Sequence, residues 1–100
     1  MIDWQKITGF DWDLGNALKS VTKHGVSRME AEEVFFNAPL IIVQDNQHSQ
    51  NENRFHALGK SNTGRLIHVT FTLRNKGQHI RVISARDMSK KERAIYDQEI

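Results

Sequence analysis

The clearest pattern in the chain is the alternation of apolar and polar residues that begins at Ile67 in the segment 65–73. One set of alternate positions is apolar and the next is polar: Ile67, Val69, Phe71 and Leu73 against His68, Thr70, Thr72 and Arg74. Successive side chains of a β-strand point to opposite faces. The segment therefore predicts a strand with one buried face and one polar face.

Three further segments have the composition of strands. They are the β-branched run 40–45, the shorter segment 54–59, and residues 80–85. Residues 61–64 and 75–77 are rich in Asn, Ser and Gly, which is typical of tight turns. Connections this short cannot make parallel crossovers, so the four strands are expected to follow one another as antiparallel hairpins.

The segment before the predicted strands has the residue spacing of helices. Asp13 can cap a first helix that ends at Gly25, with its apolar positions at helical intervals. Those positions, expected to face the core, are Leu14, Ala17, Leu18 and Val21.

Two capping boxes predict the other helices. Ser27 with Glu30 begins a second helix that ends before Pro39, and Ser89 with Glu92 begins a final one. The residues expected to be buried are Met29, Val34 and Phe35 in the second helix, and Ala94, Ile95 and Tyr96 in the last.

The elements together predict an α+β fold. Two N-terminal helices would pack on a four-stranded antiparallel sheet, and a C-terminal helix would follow. A chain of 100 residues has room for one core, so a single domain over residues 1–100 is expected.

Composition narrows the function classes. The chain has no cysteine, which excludes disulfides and thiolate metal sites and favours a cytoplasmic location. It has neither an apolar run of membrane-spanning length nor a signal-like N-terminus, so no membrane association is expected. The net charge of +2 permits a polyanionic partner. Positive charge concentrates in residues 80–93, which contain Arg81, Arg86, Lys90, Lys91 and Arg93.

Three residues at the start of the second predicted strand have side chains that could take part in catalysis. Glu52, Arg54 and His56 occupy alternate positions, so an extended backbone would project a carboxylate, a guanidinium and an imidazole to one side. The spacing alone favours a surface charge pair on an edge strand. No spacing of histidines or carboxylates suggests a metal site or a bound cofactor.

Short motifs along most of the chain carry a family resemblance. They are Phe10-Asp11-Trp12-Asp13, Lys23-His24-Gly25-Val26-Ser27, Val34-Phe35, His48-Ser49, Glu52-Asn53-Arg54-Phe55, Gly59, Gly64-Arg65, Arg81-Val82-Ile83-Ser84-Ala85-Arg86, Glu92-Arg93 and Tyr96. Together they resemble the BrnT family. The resemblance implies a RelE-like fold and a ribonuclease toxin of a type II toxin–antitoxin system, which inhibits translation. It also implies a DNA-binding antitoxin partner, BrnA.

The resemblance also marks site residues. It points to Glu52, Arg54, Arg74, Arg86, His24 and Lys23 as catalytic candidates and to Arg65 and Arg81 as RNA-binding candidates. The arginines would hold the phosphate, Glu52 would orient them or act as base, and His24 or Lys23 would assist proton transfer.

Three positions depart from the family pattern. Asn16 stands where the family usually has lysine, Ser20 where it has asparagine, and Ala38 where aspartate commonly precedes Pro39. These departures weaken the expectation of a substrate contact from the first helix.

Two other functions remain open from the sequence. The chain could be a non-catalytic co-repressor or partner-binding subunit, which growth arrest upon expression without an antitoxin would argue against. It could also be a general RNA-binding sheet, although its predicted strands lack paired exposed aromatic residues for base stacking.

Overall fold

Within residues 2–47 and 52–100, which the computed structural model describes, five strands form one mixed sheet. They are β1 Gly9–Trp12, β2 Ile41–Asp45, β3 Arg54–Lys60, β4 Leu66–Arg74 and β5 His79–Asp87. Their spatial order is β1-β5-β4-β3-β2. The four later strands form the predicted antiparallel hairpins, and the α+β class is confirmed.

The prediction of a purely antiparallel four-stranded sheet is wrong because β1 adds a fifth strand. This strand pairs in parallel with β5, from Gly9 beside His79 to Trp12 beside Val82. Its four residues are too few for a recognisable alternation, and its partner lies about seventy positions later in the chain. Pairing at such a separation depends on tertiary packing, so local sequence patterns do not reveal it.

The apolar face of the sheet carries the main core, as the alternation in β4 predicts. Ile67, Val69 and Phe71 are fully buried there. The second helix, α2 (Arg28–Glu33), continues as a 3-10 turn over Val34–Phe36 and packs on this face through Ala31 and Val34. The Ser27–Glu30 capping box is confirmed. The expected burial of Met29 is wrong, because its side chain is 70% exposed.

The first helix, α1 (Leu14–His24), has the predicted ends but not the predicted buried face. Asp13 caps it and Gly25 ends it in the left-handed conformation. Ala17 and Ser20 are buried, whereas Leu14 and Leu18 are 75% and 57% exposed. Val21 is exposed as well.

Ser20 explains this rotation of α1. Strand β1 pairs with β5 only as far as Val82, and further along β5 the Ser20 hydroxyl accepts the backbone N–H of Ala85 at 3.2 Å. A buried N–H needs an acceptor, so α1 turns Ser20 toward the strand and its larger apolar residues outward.

The last helix, α3 (Lys90–Asp97), covers one end of the polar face of the sheet. Its Ser89–Glu92 capping box is confirmed, and Tyr96 packs with Leu58 and Met88. The Tyr96 hydroxyl donates to the Pro39 carbonyl at 2.7 Å. Ala94 and Ile95 are exposed, contrary to the expectation that they pack on the sheet. No helix among the described residues has the length and apolar character needed to cross a membrane.

Gly59 fixes the approach between β3 and the 3-10 turn. A Cβ atom at Gly59 would lie 2.6 Å from Val34 Cγ1 and 3.3 Å from the Val34 carbonyl oxygen. We expect Gly59→Ala to lower the free energy of unfolding by about 1–3 kcal/mol through overpacking, as measured by urea denaturation.

Gly9→Ala in β1 is the matched control. Its Cβ would meet nothing nearer than 3.7 Å, so its effect on the free energy of unfolding should be much smaller. Equal stability of the two variants would contradict this account of Gly59.

Candidate active site

The polar face of the sheet brings basic side chains together around Thr70. The strand register places three rows of residues across β3, β4 and β5: Arg54, Thr72 and Arg81; His56, Thr70 and Ser84; Leu58, His68 and Arg86. We call these nine residues the central grid. Directly opposed residues of antiparallel strands share a face, so arginines occupy three of the four corners of the grid.

The spacing of a sheet allows these arginines to converge. Neighbouring strands lie about 4.8 Å apart and alternate residues of a strand about 6.7 Å apart, which puts each corner about 8 Å from Thr70 between Cα atoms. A guanidinium on its flexible stem can cover most of that distance. The face can therefore surround one anion above Thr70 with three cations.

A bulge in β5 completes the grid. The register shifts between Thr70 and Phe71 of β4, where the opposite residues are Ser84 and Val82. Ile83 is therefore the extra residue, and an inserted residue reverses which later side chains face each side. Ser84 and Arg86 consequently share the polar face with Arg81.

His56 is held at both ring nitrogens. Its Nε2 lies 2.9 Å from Asp45 Oδ2, and its Nδ1 lies 3.0 Å from Thr70 Oγ1. With Asp45 ionised, Nε2–H donates to the carboxylate, so Nδ1 accepts from the Thr70 hydroxyl. The two contacts thus fix the orientation of the ring, and a neutral imidazole that donates to the carboxylate carries its proton on Nε2.

His68 lies beside His56 in a drier environment, with ring centroids 4.9 Å apart. Its Nδ1 is buried and has no hydrogen-bond partner among the described residues, and its Nε2 lies 3.8 Å from Glu92 Oε2. Burial, followed by the positive charge of Arg86, lowers the pKa of His68 to about 4. His68 is therefore neutral at pH 7.

This environment predicts a loss of stability in mild acid. Between about pH 6.5 and about pH 4 the unfolded chain protonates His68 and the folded protein does not, so the free energy of unfolding falls as the pH falls. His68→Phe should flatten this part of the stability curve in urea denaturation at pH 7, 5.5 and 4.5. The same slope in both proteins would contradict the assignment.

Arg86 and Glu92 form a two-pronged ion pair beside His68. Arg86 Nη1 donates to Glu92 Oε1 at 2.8 Å and Nη2 donates to Oε2 at 3.0 Å. These hydrogen bonds lower the pKa of Glu92 to about 2. Arg86 Nη1 also donates a third hydrogen bond, to the Asp87 carbonyl oxygen. Two of the five guanidinium N–H groups thus have no acceptor among the described residues, which orients Arg86 and leaves donors for a ligand.

Three catalytic candidates, Glu52, Arg54 and Arg74, lie at the far end of the polar face. Arg74 ends β4 and forms an ion pair with Glu52, just before β3. Arg54 begins β3, opposite Asp45 and Thr72. Glu52 is therefore beside Arg74, as an orienting role requires, and Arg54 shares its face with His56.

The two RNA-binding candidates have different surroundings. Arg81 is a corner of the central grid, and its Nη2 lies 3.5 Å from Asp13 Oδ2 at the start of α1. Arg65 lies just before β4 and bridges three elements. Its guanidinium contacts Asp87, Glu30 and the carbonyl oxygens of His24 and Gly25.

Lys23 and His24 lie at the C-terminal end of α1. Within residues 2–47 and 52–100, no hydrogen bond or ion pair joins either side chain to the central grid. The structure therefore does not bring these two candidates together with Arg54 and Arg86. His48, part of the family-like loop, lies outside the described residues.

Sequence reasoning missed His68, Thr70 and Asp45 as members of the candidate site and did not place His56 among the catalytic candidates. A signal was present: the alternation in β4 already placed His68 and Thr70 on the polar face. What it lacked was the register, which aligns His56 with Thr70 and His68 with Arg86. In the described part of the chain, no three His, Asp or Glu residues are arranged to hold a metal ion.

A family comparison identifies the protein class. The model described as "Ribonuclease toxin, BrnT, of type II toxin-antitoxin system" matches residues 12–92. The chain belongs to the BrnT family. It is accordingly a ribonuclease toxin of a type II toxin–antitoxin system, with RNA as substrate and an antitoxin as partner.

A solved BrnT structure supports the fold. The crystal structure of the Brucella abortus ribonuclease toxin BrnT has a TM-score of 0.61 and 21% sequence identity to this chain. The match covers 83% of this chain and 99% of that one. No curated protein matches the sequence.

Proposed function

We propose that this BrnT-family toxin cleaves RNA on the polar face of its sheet, without a metal ion, by attack of a 2′-hydroxyl on the adjacent phosphate. The observation that supports this site is the central grid, in which arginines occupy three of the four corners around Thr70. The products would be a 2′,3′-cyclic phosphate and a 5′-hydroxyl.

The arginines match the main electrostatic demand of this reaction. Attack on a phosphodiester gathers charge on the phosphate oxygens in the transition state, and fixed cations stabilise that charge. Arg86 retains N–H donors while Glu92 holds it in place, and planar guanidinium groups bind phosphate oxygens in pairs. Arg54 and Arg86 would therefore hold the scissile phosphate.

The other candidates have supporting roles in the proposal. Arg74, oriented by Glu52, lies one row beyond Thr72 and would contact a neighbouring phosphate of the RNA. Arg81 and Arg65 would contact the RNA backbone. Lys23 or His24 stays open as a group that assists proton transfer, and Glu52 stays open as an alternative base.

The partner and setting complete the proposal. The antitoxin would be a BrnA-like DNA-binding protein that covers the polar face, so that the complex is inactive and represses its own operon. The free toxin would act in the cytoplasm and inhibit translation by cutting RNA.

The test is inducible expression without an antitoxin, with mapping of RNA ends. We expect growth arrest and new 5′-hydroxyl ends in cellular RNA. An Arg86→Ala protein accumulated to the same level should produce neither. Normal growth with intact RNA under the wild-type protein would instead support a non-catalytic co-repressor subunit.

A further inference from the structure

His56 is placed differently from the other polar residues of the face. Its side chain is 29% exposed, whereas Asp45, its partner, is 12% exposed. The carboxylate is therefore the less exposed member of the pair. The cross-strand neighbour of His56 is Thr70, at the centre of the central grid.

Every element around His56 carries a charged or titratable group on the polar face or beside it. Asp45 comes from β2, Arg54 from β3, His68 from β4, Arg86 from β5 and Glu92 from α3. His68 is buried and its Nδ1 has no partner, so His68 is poorly placed to receive a proton. His56, with an ionised carboxylate behind one nitrogen, can receive one at the other.

A purely structural role explains less of this geometry. A histidine that only locks two strands needs neither the 29% exposure of His56 nor a place in a grid with arginines at three of its corners. The Asp45 carboxylate, the His56 imidazole and the Thr70 hydroxyl form a chain of hydrogen bonds, 2.9 Å long at Nε2 and 3.0 Å long at Nδ1. Catalytic triads hold a proton acceptor in place by the same principle.

We propose that His56 is the general base of the cleavage reaction and that Asp45 is its positioning residue. The inference rests on the proposed function and adds to it the group that removes the 2′-hydroxyl proton, a role that the family-derived candidates left to Glu52, Lys23 or His24.

The step follows from the hydrogen bonds in place. The 2′-hydroxyl replaces Thr70 as the donor to His56 Nδ1, and the freed Thr70 hydroxyl turns to a phosphate oxygen. Nδ1 takes the proton as O2′ forms a bond to phosphorus and the bond from phosphorus to O5′ breaks. The leaving O5′ takes a proton from water, and the resulting hydroxide removes the proton from His56.

Chemical rescue tests this role directly. We expect His56→Ala to cut a defined RNA at least about 100-fold more slowly than wild type, because general-base catalysis contributes about that much or more. Added imidazole should restore part of the rate, and more basic substituted imidazoles should restore more. A missing strand contact would show no such dependence on the basicity of the added base.

His79→Ala is the matched control. His79 forms a similar pair with Asp11, at 3.1 Å between Nδ1 and Oδ2, on the same face but outside the central grid. Its cleavage rate should stay within about threefold of wild type, and imidazole should have no effect on it. An equal loss in both variants would overturn the assignment of His56.

Asp45→Asn provides a second test that does not need the alanine variant to fold. Replacing the carboxylate removes a charge that favours the imidazolium, so the acid limb of the pH–rate profile should move to lower pH while the maximal rate falls. An unmoved acid limb would show that His56 is not the titrating base.

The outcomes separate the two proposals. If wild-type protein leaves RNA intact, the proposed function fails. If wild type yields cyclic phosphate ends and Arg86→Ala does not, while His56→Ala remains active or cannot be rescued by imidazole, only the assignment of His56 fails.

Discussion

Replacing Arg54 and Arg86 together by alanine is expected to lower the rate of RNA cleavage by about four orders of magnitude. Each side chain is a corner of the central grid and would stabilise charge on the phosphate in the transition state. Removing one preorganised donor of this kind commonly costs about 10²–10³ in rate. The rate is to be measured in single-turnover experiments on a short RNA.

The matched control removes the same charge elsewhere. Lys90 and Lys91 lie exposed at the start of α3. A Lys90→Ala, Lys91→Ala protein loses two positive charges and therefore has the same net charge as the arginine double variant. It should stay within about tenfold of wild type. Equal losses in the two double variants would mean that overall charge, not the grid, controls cleavage.

The second large effect concerns stability. We expect Arg65→Ala to lower the free energy of unfolding by about 1.5–3 kcal/mol, the range for hydrogen bonds to a charged group. The ion pair with the more exposed Asp87 adds little to this. Arg65 Nε lies 2.7 Å from Asp87 Oδ1, and its Nη1 lies 2.8 Å from the Gly25 carbonyl. Losing these contacts frees the end of α1 from the end of β5. In a chain of this size the melting temperature should fall by on the order of 10 °C.

Lys91→Ala serves as the comparison for this experiment. It removes an exposed cation, so its free energy of unfolding should differ from wild type by less than about 0.5 kcal/mol. If Arg65→Ala unfolds at the same urea concentration as Lys91→Ala, the bridging role of Arg65 is wrong.

The local patterns predicted most of the elements for identifiable physical reasons. The capping boxes at Ser27 and Ser89 and the stop at Gly25 satisfy backbone groups within a few residues, so the sequence alone reveals them. The strand predicted from the alternation in β4 is likewise confirmed, because one face of β4 is buried in the core.

The failures come from contacts between distant segments. Strand β1 exists because β5 pairs with it, and α1 turns Leu14 outward because Ser20 meets an N–H of β5. A helical wheel shows that a stripe is apolar but not which stripe the rest of the fold covers.

The candidate site was only partly predictable for the same reason. The family resemblance marked Arg54 and Arg86, and the alternate spacing already placed Arg54 on the same side as His56. No spacing in the chain relates Arg86 to either residue. That relation depends on strand register and on the bulge at Ile83, which turns Arg86 to the same face as Arg54. The assignment of catalytic and RNA-binding residues stays a prediction until the variants are measured.

The most direct measurement is the chemistry of the RNA ends produced by the purified toxin in excess EDTA, beside the Arg54→Ala, Arg86→Ala protein. The account predicts 2′,3′-cyclic phosphate and 5′-hydroxyl ends from wild type, and intact RNA from the double variant over the same time. Cleavage that stops when EDTA is added, or 5′-phosphate ends, would contradict it.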